Sequence, residues 1–431
     1  MTAAASEDTD PAGFARPATY REVFAVAEFR PLFGTFLLST AGDELARVAL
    51  TVLVYQRTNS PLLSALTFAI SHFPWLIGGP LLSTLADRLP RHRVLVATDT
   101  ARAVLLALMA VPGMPLPVLL GLLLLVSLCA PPFESARSAL MADVLDGERY
   151  ALATSLTTVT LQLAQVAGFL LGGALVALSP SLALGIDAAT FAVSALWLFA
   201  RLQRRPAPGQ ASGSLWRDAA DGLLFIRHTR RMLAIIAVLW LGALFGNAWE
   251  GVAAPLAGEL DGGSMAVGVL LAANPLGVVV GGLLLGRLVP RSRRERLVAP
   301  LVLLSLAPLL AGGVLVWLAG ASWSSFSTLL ALLFVSGLGS SWLIPLNVSF
   351  VQATPAAFRG RAFGVAVSGL YGVQGLGALA AGLVAEGVPA SGVLALCGGV
   401  GMIAVAPALL AYRRTQDRPG AGNEGEGASR A

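Results

Sequence analysis

Long apolar runs alternate with short polar connections along most of the 431-residue chain. About twelve of these runs are long enough to cross the ~30 Å hydrocarbon core of a bilayer as helices. They cover approximately residues 31–54, 62–86, 94–112, 116–139, 153–178, 182–200, 232–256, 266–288, 297–319, 328–350, 362–385 and 391–411. The pattern predicts an all-α integral membrane protein of about twelve transmembrane helices.

The composition supports this prediction. Hydrophobic residues make up 56% of the chain and charged residues only 12%, with a mean hydropathy of +0.76. These values exclude a soluble domain with a polar shell. Residues 1–28 and 413–431 are polar, and we expect them to be disordered cytoplasmic tails.

Arginine is concentrated in every second connection between the apolar runs, whereas Arg57 is alone in the others. By the positive-inside rule, this alternation predicts a multi-pass protein of the cell membrane with both termini in the cytoplasm. The arginines of the basic connections are Arg88, Arg91, Arg93, Arg149, Arg201, Arg204, Arg205, Arg217, Arg227, Arg230, Arg231, Arg287, Arg291, Arg293, Arg294, Arg296, Arg359, Arg361, Arg413 and Arg414.

The chain is also doubled. A cytoplasmic connection, residues 201–231, separates six apolar runs in residues 29–200 from six in residues 232–412. GDELARVA (Gly42 to Ala49) resembles GNAWEGVA (Gly246 to Ala253) at matching places in the first and seventh runs. We therefore expect two pseudo-repeated halves of six helices, facing each other across a central path.

Several kinds of chemistry are excluded by the sequence. There is no lysine, so a P-loop or a Schiff base is impossible. The three histidines are scattered, and Cys129 and Cys397 both lie in apolar runs. We therefore expect no enzyme activity, no cofactor, no metal site and no nucleic-acid partner.

Acidic residues inside the first run are the leading coupling candidates. An ionised carboxylate in mid-membrane costs about 2.5–3.5 kcal/mol and normally lines a cavity or meets a partner. Asp43 could take up a proton on one side of the membrane and release it on the other. The alternative is a permanent ion pair of Asp43 or Glu44 with Arg47 that only holds the helix in place.

Glu250 in the seventh run is a second candidate, near Asn247 and Trp249. A cationic substrate could be held there by a carboxylate together with aromatic faces. The alternative is a glutamate that reaches the outer membrane interface.

Other polar residues in the runs suggest structural roles. Glu134 with Arg137, and Asp99 with Arg102, have the spacing of internal ion pairs. We expect Asp187 to be a hydrated residue near the outer face. Asn274-Pro275 is placed to break the eighth helix. Gln162, Gln165, Asn274, Asn347 and Gln374 could line the path, whose otherwise apolar character favours a lipophilic or amphipathic substrate.

The chain resembles the major facilitator superfamily of secondary transporters. The loop after the second run keeps the Asp-Arg and basic positions of the family motif in Asp87, Arg88, Arg91 and Arg93, while Ser83 and Pro90 replace its glycines. In the family this loop latches the outward-open state, so the resemblance implies a conformational gate. The alternative is that these arginines only fix the topology.

Three further segments resemble the exporter branch that includes macrolide-efflux and enterobactin-exporter proteins: PPFESARSALMADVL (Pro131 to Leu145), GIDAATFAVSA (Gly185 to Ala195) and SLWRDAADGLLFIRHTRRM (Ser214 to Met232). The resemblance implies proton-coupled efflux of a hydrophobic or amphipathic, drug-like molecule by a monomer in the lipid bilayer. The alternatives are an exporter or facilitator of a siderophore or other metabolite, and a non-transporting membrane scaffold or sensor.

Overall fold

The computed structural model describes residues 19–206, 223–355 and 358–416, and the side chains of these residues except at 76–88 and 359–360. All regular elements in these ranges are helices. The N-terminal segment, residues 29–200, is preceded by the short helix α1. The helices up to its end are α1 (Tyr20–Ala25), α2 (Phe29–Thr58), α3 (Pro61–Arg88), α4 (Arg91–Met109), α5 (Leu116–Leu128), α6 (Ala130–Val144), α7 (Gly147–Leu178) and α8 (Pro180–Arg201).

The C-terminal segment, residues 232–412, has several interrupted helices. Its elements are α9 (Arg230–Asn247), a 3₁₀ turn (Ala248–Val252), α10 (Ala253–Glu259), α11 (Ser264–Leu288), α12 (Arg291–Arg294), a second 3₁₀ turn (Glu295–Leu297), α13 (Val298–Ala319), α14 (Trp323–Ser340), α15 (Leu343–Ala353), α16 (Arg359–Ala385) and α17 (Ala390–Gln416).

Nine helical stretches in the described ranges are long and apolar enough to cross a membrane: Leu116–Val144, Gly147–Leu178, Pro180–Arg201, Arg230–Glu259, Ser264–Leu288, Arg291–Ala319, Trp323–Ala353, Arg361–Ala385 and Ala390–Gln416. The apolar helices predicted from the sequence are therefore present in this part of the chain. Three more long helices, α2, α3 and α4, come before them. The count of twelve and the arrangement in two halves stay predictions.

Helices extend into both ends that we expected to be disordered. A capping box between Thr19 and Glu22 starts α1, and Val23 packs with Phe29 in a small core. At the other end, α17 continues to Gln416. The inner limits of the two predicted tails are thus corrected, because local capping and packing order these residues.

Proline acts differently at two places in the membrane helices. Pro131 and Pro132 begin α6 directly after α5 ends, where the sequence suggested one unbroken run. Pro275 lies inside α11, which is continuous from Ser264 to Leu288. The predicted break of the eighth helix at Asn274-Pro275 is therefore wrong. Neighbouring membrane helices can support a helix whose proline removes one hydrogen bond.

The two segments pack against each other through two helix pairs, α3 with α16 and α7 with α11. At the end of α3 near residue 60, Gly382 approaches Ala65. Further along the same pair, Trp75 stacks on Tyr371 with ring centroids 4.6 Å apart. The central polar residues lie between these two helix pairs.

Candidate functional site

A cluster of polar side chains occupies the interface between the two segments. We call Glu44, Arg47, Gln165, Glu250 and His72, with Tyr371 and Gln374, the central cluster. Arg47 Nη1 lies 2.7 Å from Glu44 Oε2, and Gln165 Nε2 donates to Glu44 Oε1 at 3.1 Å. Glu44 is only 4% exposed. The ion pair lies within α2, and the hydrogen bond from Gln165 joins Glu44 to α7 in a shielded position.

Glu250 reaches this cluster from a local break in the seventh membrane stretch. The 3₁₀ turn Ala248–Val252 replaces α-helix there, a feature that often marks a functional hinge. Glu250 interacts electrostatically with Arg47 and Glu44. It forms no hydrogen bond or ion pair with any residue that the structure describes. Arg47 thus interacts with two carboxylates but forms an ion pair with Glu44 only.

The residues beside Glu250 do not line this space equally. Asn247 is partly buried, whereas Trp249 is fully buried and its indole nitrogen has no partner among the described residues. Trp249 belongs to the hydrophobic core. It is therefore a packing residue in this conformation and not an aromatic face for a substrate.

Other rings supply the aromatic surface that the sequence assigned to Trp249. His72 stacks on Phe68 at 4.6 Å and lies 5.9 Å from the ring of Tyr371. The Arg47 guanidinium lies over the Phe68 ring at 5.2 Å. Gln374 is within hydrogen-bonding reach of His72. Aromatic rings from both segments thus border the central charges.

A second group of charges lies inside the N-terminal segment. We call Asp43, Asp99, Asp187 and Arg102 the aspartate cluster. The three carboxylates interact electrostatically with Arg102, and Asp43 interacts with both other aspartates. Asp99 accepts a hydrogen bond from Ser194 on α8. The predicted close ion pair between Asp99 and Arg102 is absent from the described contacts, and the Arg102 guanidinium lies over the rings of Phe133 and Phe191 instead.

Asp187 is placed differently from the expectation. It is fully buried, and a methyl group added at Gly42 would overlap its carboxylate. Thr190 Oγ1 donates to Asp187 Oδ1 at 3.2 Å. The prediction of a hydrated interfacial residue is wrong because α8 begins at Pro180, about two turns earlier, and packs along α2.

Glu134 and Arg137 do form a close pair on α6. Arg137 Nε donates to Glu134 Oε2 at 2.9 Å, and the guanidinium lies over the Phe36 ring at 4.2 Å. The pair ties α6 to α2, as a structural ion pair would.

The basic loop is only partly described. The side chains of Asp87 and Arg88 lie outside the described residues. Arg91 pairs with Asp143 and donates to the Ala139 carbonyl at 3.3 Å, whereas Arg93 is exposed. Arg91 therefore anchors α4 to α6 within one segment, and the gate stays a prediction.

The neutral candidates separate into two groups. Gln165 and Gln374 belong to the central cluster. Gln162 is partly buried, Asn274 is buried between α11 and α14, and Asn347 is exposed. Asn274 serves helix packing in this conformation.

At the face opposite the basic loops, one carboxylate bridges the two segments. Glu386 Oε1 accepts from Ser60 Oγ at 2.6 Å and from Leu62 N at 3.0 Å. Both hydrogen bonds lower the pKa of Glu386 below its ordinary value, and the one from Ser60 has the larger effect. A cavity of about 440 Å³ beside it is lined by Tyr55 and Glu259 among others. Glu386 therefore links the end of α16 to the start of α3 at this face.

At the basic face, Glu295 organises the C-terminal segment. It pairs with Arg231 at 3.0 Å and accepts from Ser349 at 2.9 Å, while Tyr412 approaches within 3.3 Å. Our sequence reasoning missed this group. Its signal was a single acid inside the arginine-rich run Arg291–Arg296.

The family model described as Major Facilitator Superfamily matches residues 32–312 and 251–430. Among curated protein sequences, none matches the chain. Several solved structures are similar in fold. A POT family transporter in complex with 5-aminolevulinic acid has a TM-score of 0.69 at 14% identity, covering 93% of this chain and 97% of the other.

A crystal structure of the nucleoside transporter NupG has a TM-score of 0.67 at 17% identity, covering 88% of this chain and 100% of the other. A peptide transporter POT has a TM-score of 0.68 at 16% identity, covering 94% and 95%. At these identities the likeness concerns the fold. The family match, with its apolar helices and a polar cluster between two segments, leads to one conclusion: the chain belongs to the Major Facilitator Superfamily and is a multi-pass membrane transporter.

Proposed function

We propose that this transporter exports a hydrophobic or amphipathic, drug-like cation from the cytoplasm in exchange for protons. The observation that carries the proposal is the central cluster, where Glu44 and Glu250 face one arginine beside rings from both segments. An excess negative charge with adjacent aromatic faces favours an organic cation. The resemblance to macrolide-efflux and enterobactin-exporter proteins supports the outward direction.

The same proposal includes the architecture and orientation. Twelve helices form two six-helix halves, which alternate in exposing the central cluster to the two sides of the cell membrane. The arginine-rich face and both termini are cytoplasmic. The contacts of Glu386, which join the segments at the other face, support a conformation that is closed to the outside. The protein works as a monomer.

Reconstitution into liposomes tests the substrate assignment. With an imposed pH gradient, uptake of tetraphenylphosphonium and of a matched neutral lipophile is measured for the wild type, Glu250→Gln and the control Glu148→Gln. Glu148 is an exposed carboxylate away from the cluster. We expect Glu250→Gln to weaken cation transport by about tenfold, equivalent to ~1.4 kcal/mol, and Glu148→Gln to leave it unchanged.

Equal cation transport by Glu250→Gln and the wild type would contradict this assignment. Asp43→Asn tests the coupling in the same assay, and we expect it to abolish the response to the pH gradient. Undiminished pH-driven transport would remove Asp43 from the mechanism. Transport of a siderophore or another metabolite, without any cation transport, would favour that alternative cargo.

A further inference from the structure

The aspartate cluster has more negative charge than its arginine can balance. Asp43, Asp99 and Asp187 all interact electrostatically with Arg102, which leaves an excess of two charges when all four groups are ionised. Asp99 and Asp187 are fully buried and Arg102 is 3% exposed. Unbalanced charges in such a position are strongly unfavourable. The cluster therefore requires further positive charge.

Unpartnered atoms in the cluster point to where that charge is held. Asp99 Oδ1, Asp187 Oδ2 and Arg102 Nε are buried without a hydrogen-bond partner among the described residues. Arg102 instead lies between the rings of Phe133 and Phe191, at 5.4 and 5.1 Å. Buried polar atoms normally have partners, and the two carboxylate oxygens lack a donor, which a bound proton would supply.

Nearby charges do not fill this role. Arg47 also interacts with Asp43, but it is already paired with Glu44. The other groups around the cluster are Cys129, which approaches Asp99 and Arg102, and the Glu134–Arg137 pair on α6. None of them adds an unpaired positive charge.

We propose that Asp43, Asp99, Asp187 and Arg102 form a proton-binding site that is separate from the central cluster and holds up to two protons. The site deepens the proton exchange proposed above and rests on that function for its role in transport. A proton bound to a carboxylate oxygen makes that oxygen a hydrogen-bond donor and removes one excess negative charge.

The two sites are joined through α2, where Asp43 and Glu44 are consecutive residues. Asp43 interacts with Arg102 on α4, whereas Glu44 contacts Gln165 on α7. A shift of α2 would therefore alter both sites together. This arrangement assigns the proton to the interior of one segment and the cargo to the interface between segments.

Infrared difference spectroscopy of the purified full-length protein, between acidic and alkaline buffer, tests the site. The probe is the proton itself, read from the carbonyl band of protonated carboxylic acids and from the number of protons bound. In the double variant, which combines Asp99→Asn and Asp187→Asn, Asp43 is the one carboxylate of the cluster that remains to balance the charge of Arg102. We expect it to bind two fewer protons than the wild type, and the single variant Asp187→Asn to bind one fewer.

Glu148→Gln is the matched control and should leave both readouts unchanged. The proposal would be overturned if the double variant showed the same carbonyl band and bound the same number of protons as the wild type. It would also be overturned if adding Na⁺ at constant pH removed the carbonyl band of the wild type. If the double variant does not elute as a folded protein, Asp187→Asn decides between these results. The spectroscopic readout requires no transport. If the protein binds these protons but fails the liposome assay, the proposed function is refuted and the proton site is not.

Discussion

The N-terminal and C-terminal segments have different interiors. The N-terminal segment contains the ion pairs of Glu44 with Arg47 and Glu134 with Arg137, and the whole aspartate cluster. From the membrane stretches of the C-terminal segment, Glu250 interacts electrostatically with Arg47 and Glu44. In the C-terminal segment, helices pack so closely that a glycine of one helix contacts the backbone of the next, as Gly337 contacts Asn274. Glycine also meets backbone in the N-terminal segment, as Gly168 does with Ala41, so the buried charge of the N-terminal segment is what distinguishes the two.

This difference suggests a division of labour. Paired and unpaired charges respond to protons, whereas backbone packed on glycine is rigid and responds little to pH. The repeat-related residues Asp43 and Asn247 illustrate the contrast, since the charged member lies in the N-terminal segment. Proton sensing would then belong to one segment, and the other would provide a frame against which it moves.

The largest expected effect comes from removing the arginine of the aspartate cluster. Arg102→Met leaves three carboxylates without their positive charge, so we expect a loss of about 3–5 kcal/mol in stability. Thermal unfolding in detergent measures it. Arg57→Met is the control because Arg57 is exposed and donates to the Met114 carbonyl at 2.8 Å, and it should cost at most about 1 kcal/mol. Equal unfolding temperatures for both variants would show that charge does not stabilise this segment.

A smaller loss is expected from close packing in the C-terminal segment. In Gly337→Ala the added methyl group overlaps the backbone oxygen of Asn274, so α14 must move away from α11. We expect a cost of about 1–3 kcal/mol, measured by the same unfolding assay. In the control Gly364→Ala, no atom lies near the added group. A Gly337→Ala protein as stable as this control would refute the packing account.

The smallest effect concerns the contact between the segments. Glu386→Gln weakens the bond to Ser60, so the face opposite the basic loops should open more often. Labelling of Tyr55→Cys by a membrane-impermeant maleimide, in a background lacking Cys129 and Cys397, measures the opening. We expect faster labelling than in the wild type, because the charged acceptor is lost.

The pH dependence has a definite sign. Since the pKa of Glu386 is lowered, its contribution to closure is complete above the ordinary value of 4.5 and is lost as the pH falls through the lowered pKa. Wild-type labelling should therefore approach that of Glu386→Gln only in acid. Asp261→Asn, an exposed change on the same face, should label at the wild-type rate. A rate independent of Glu386 at every pH would show that this contact does not close the face.

The sequence predicted the membrane helices and most residues of the central cluster, because a charge inside an apolar run is conspicuous. It could not predict long-range partners. Asp99 and Arg102 have the spacing of an ion pair, yet Ser194 from another helix binds Asp99. Asp187 looked interfacial because the depth of a residue depends on where its helix begins. The role of Trp249 was equally hidden, since a 3₁₀ turn decides which side chains of that stretch face the interface.

The adjacency of Asp43 and Glu44 on α2 has a thermodynamic consequence. If proton binding at Asp43 changes the affinity of the cargo at Glu44 by some factor, cargo binding must change the proton affinity by the same factor. Cargo titrations at several pH values and proton counts with and without cargo would then give one coupling constant. Two equilibrium measurements on protein at rest could thus quantify the exchange before any molecule crosses the membrane.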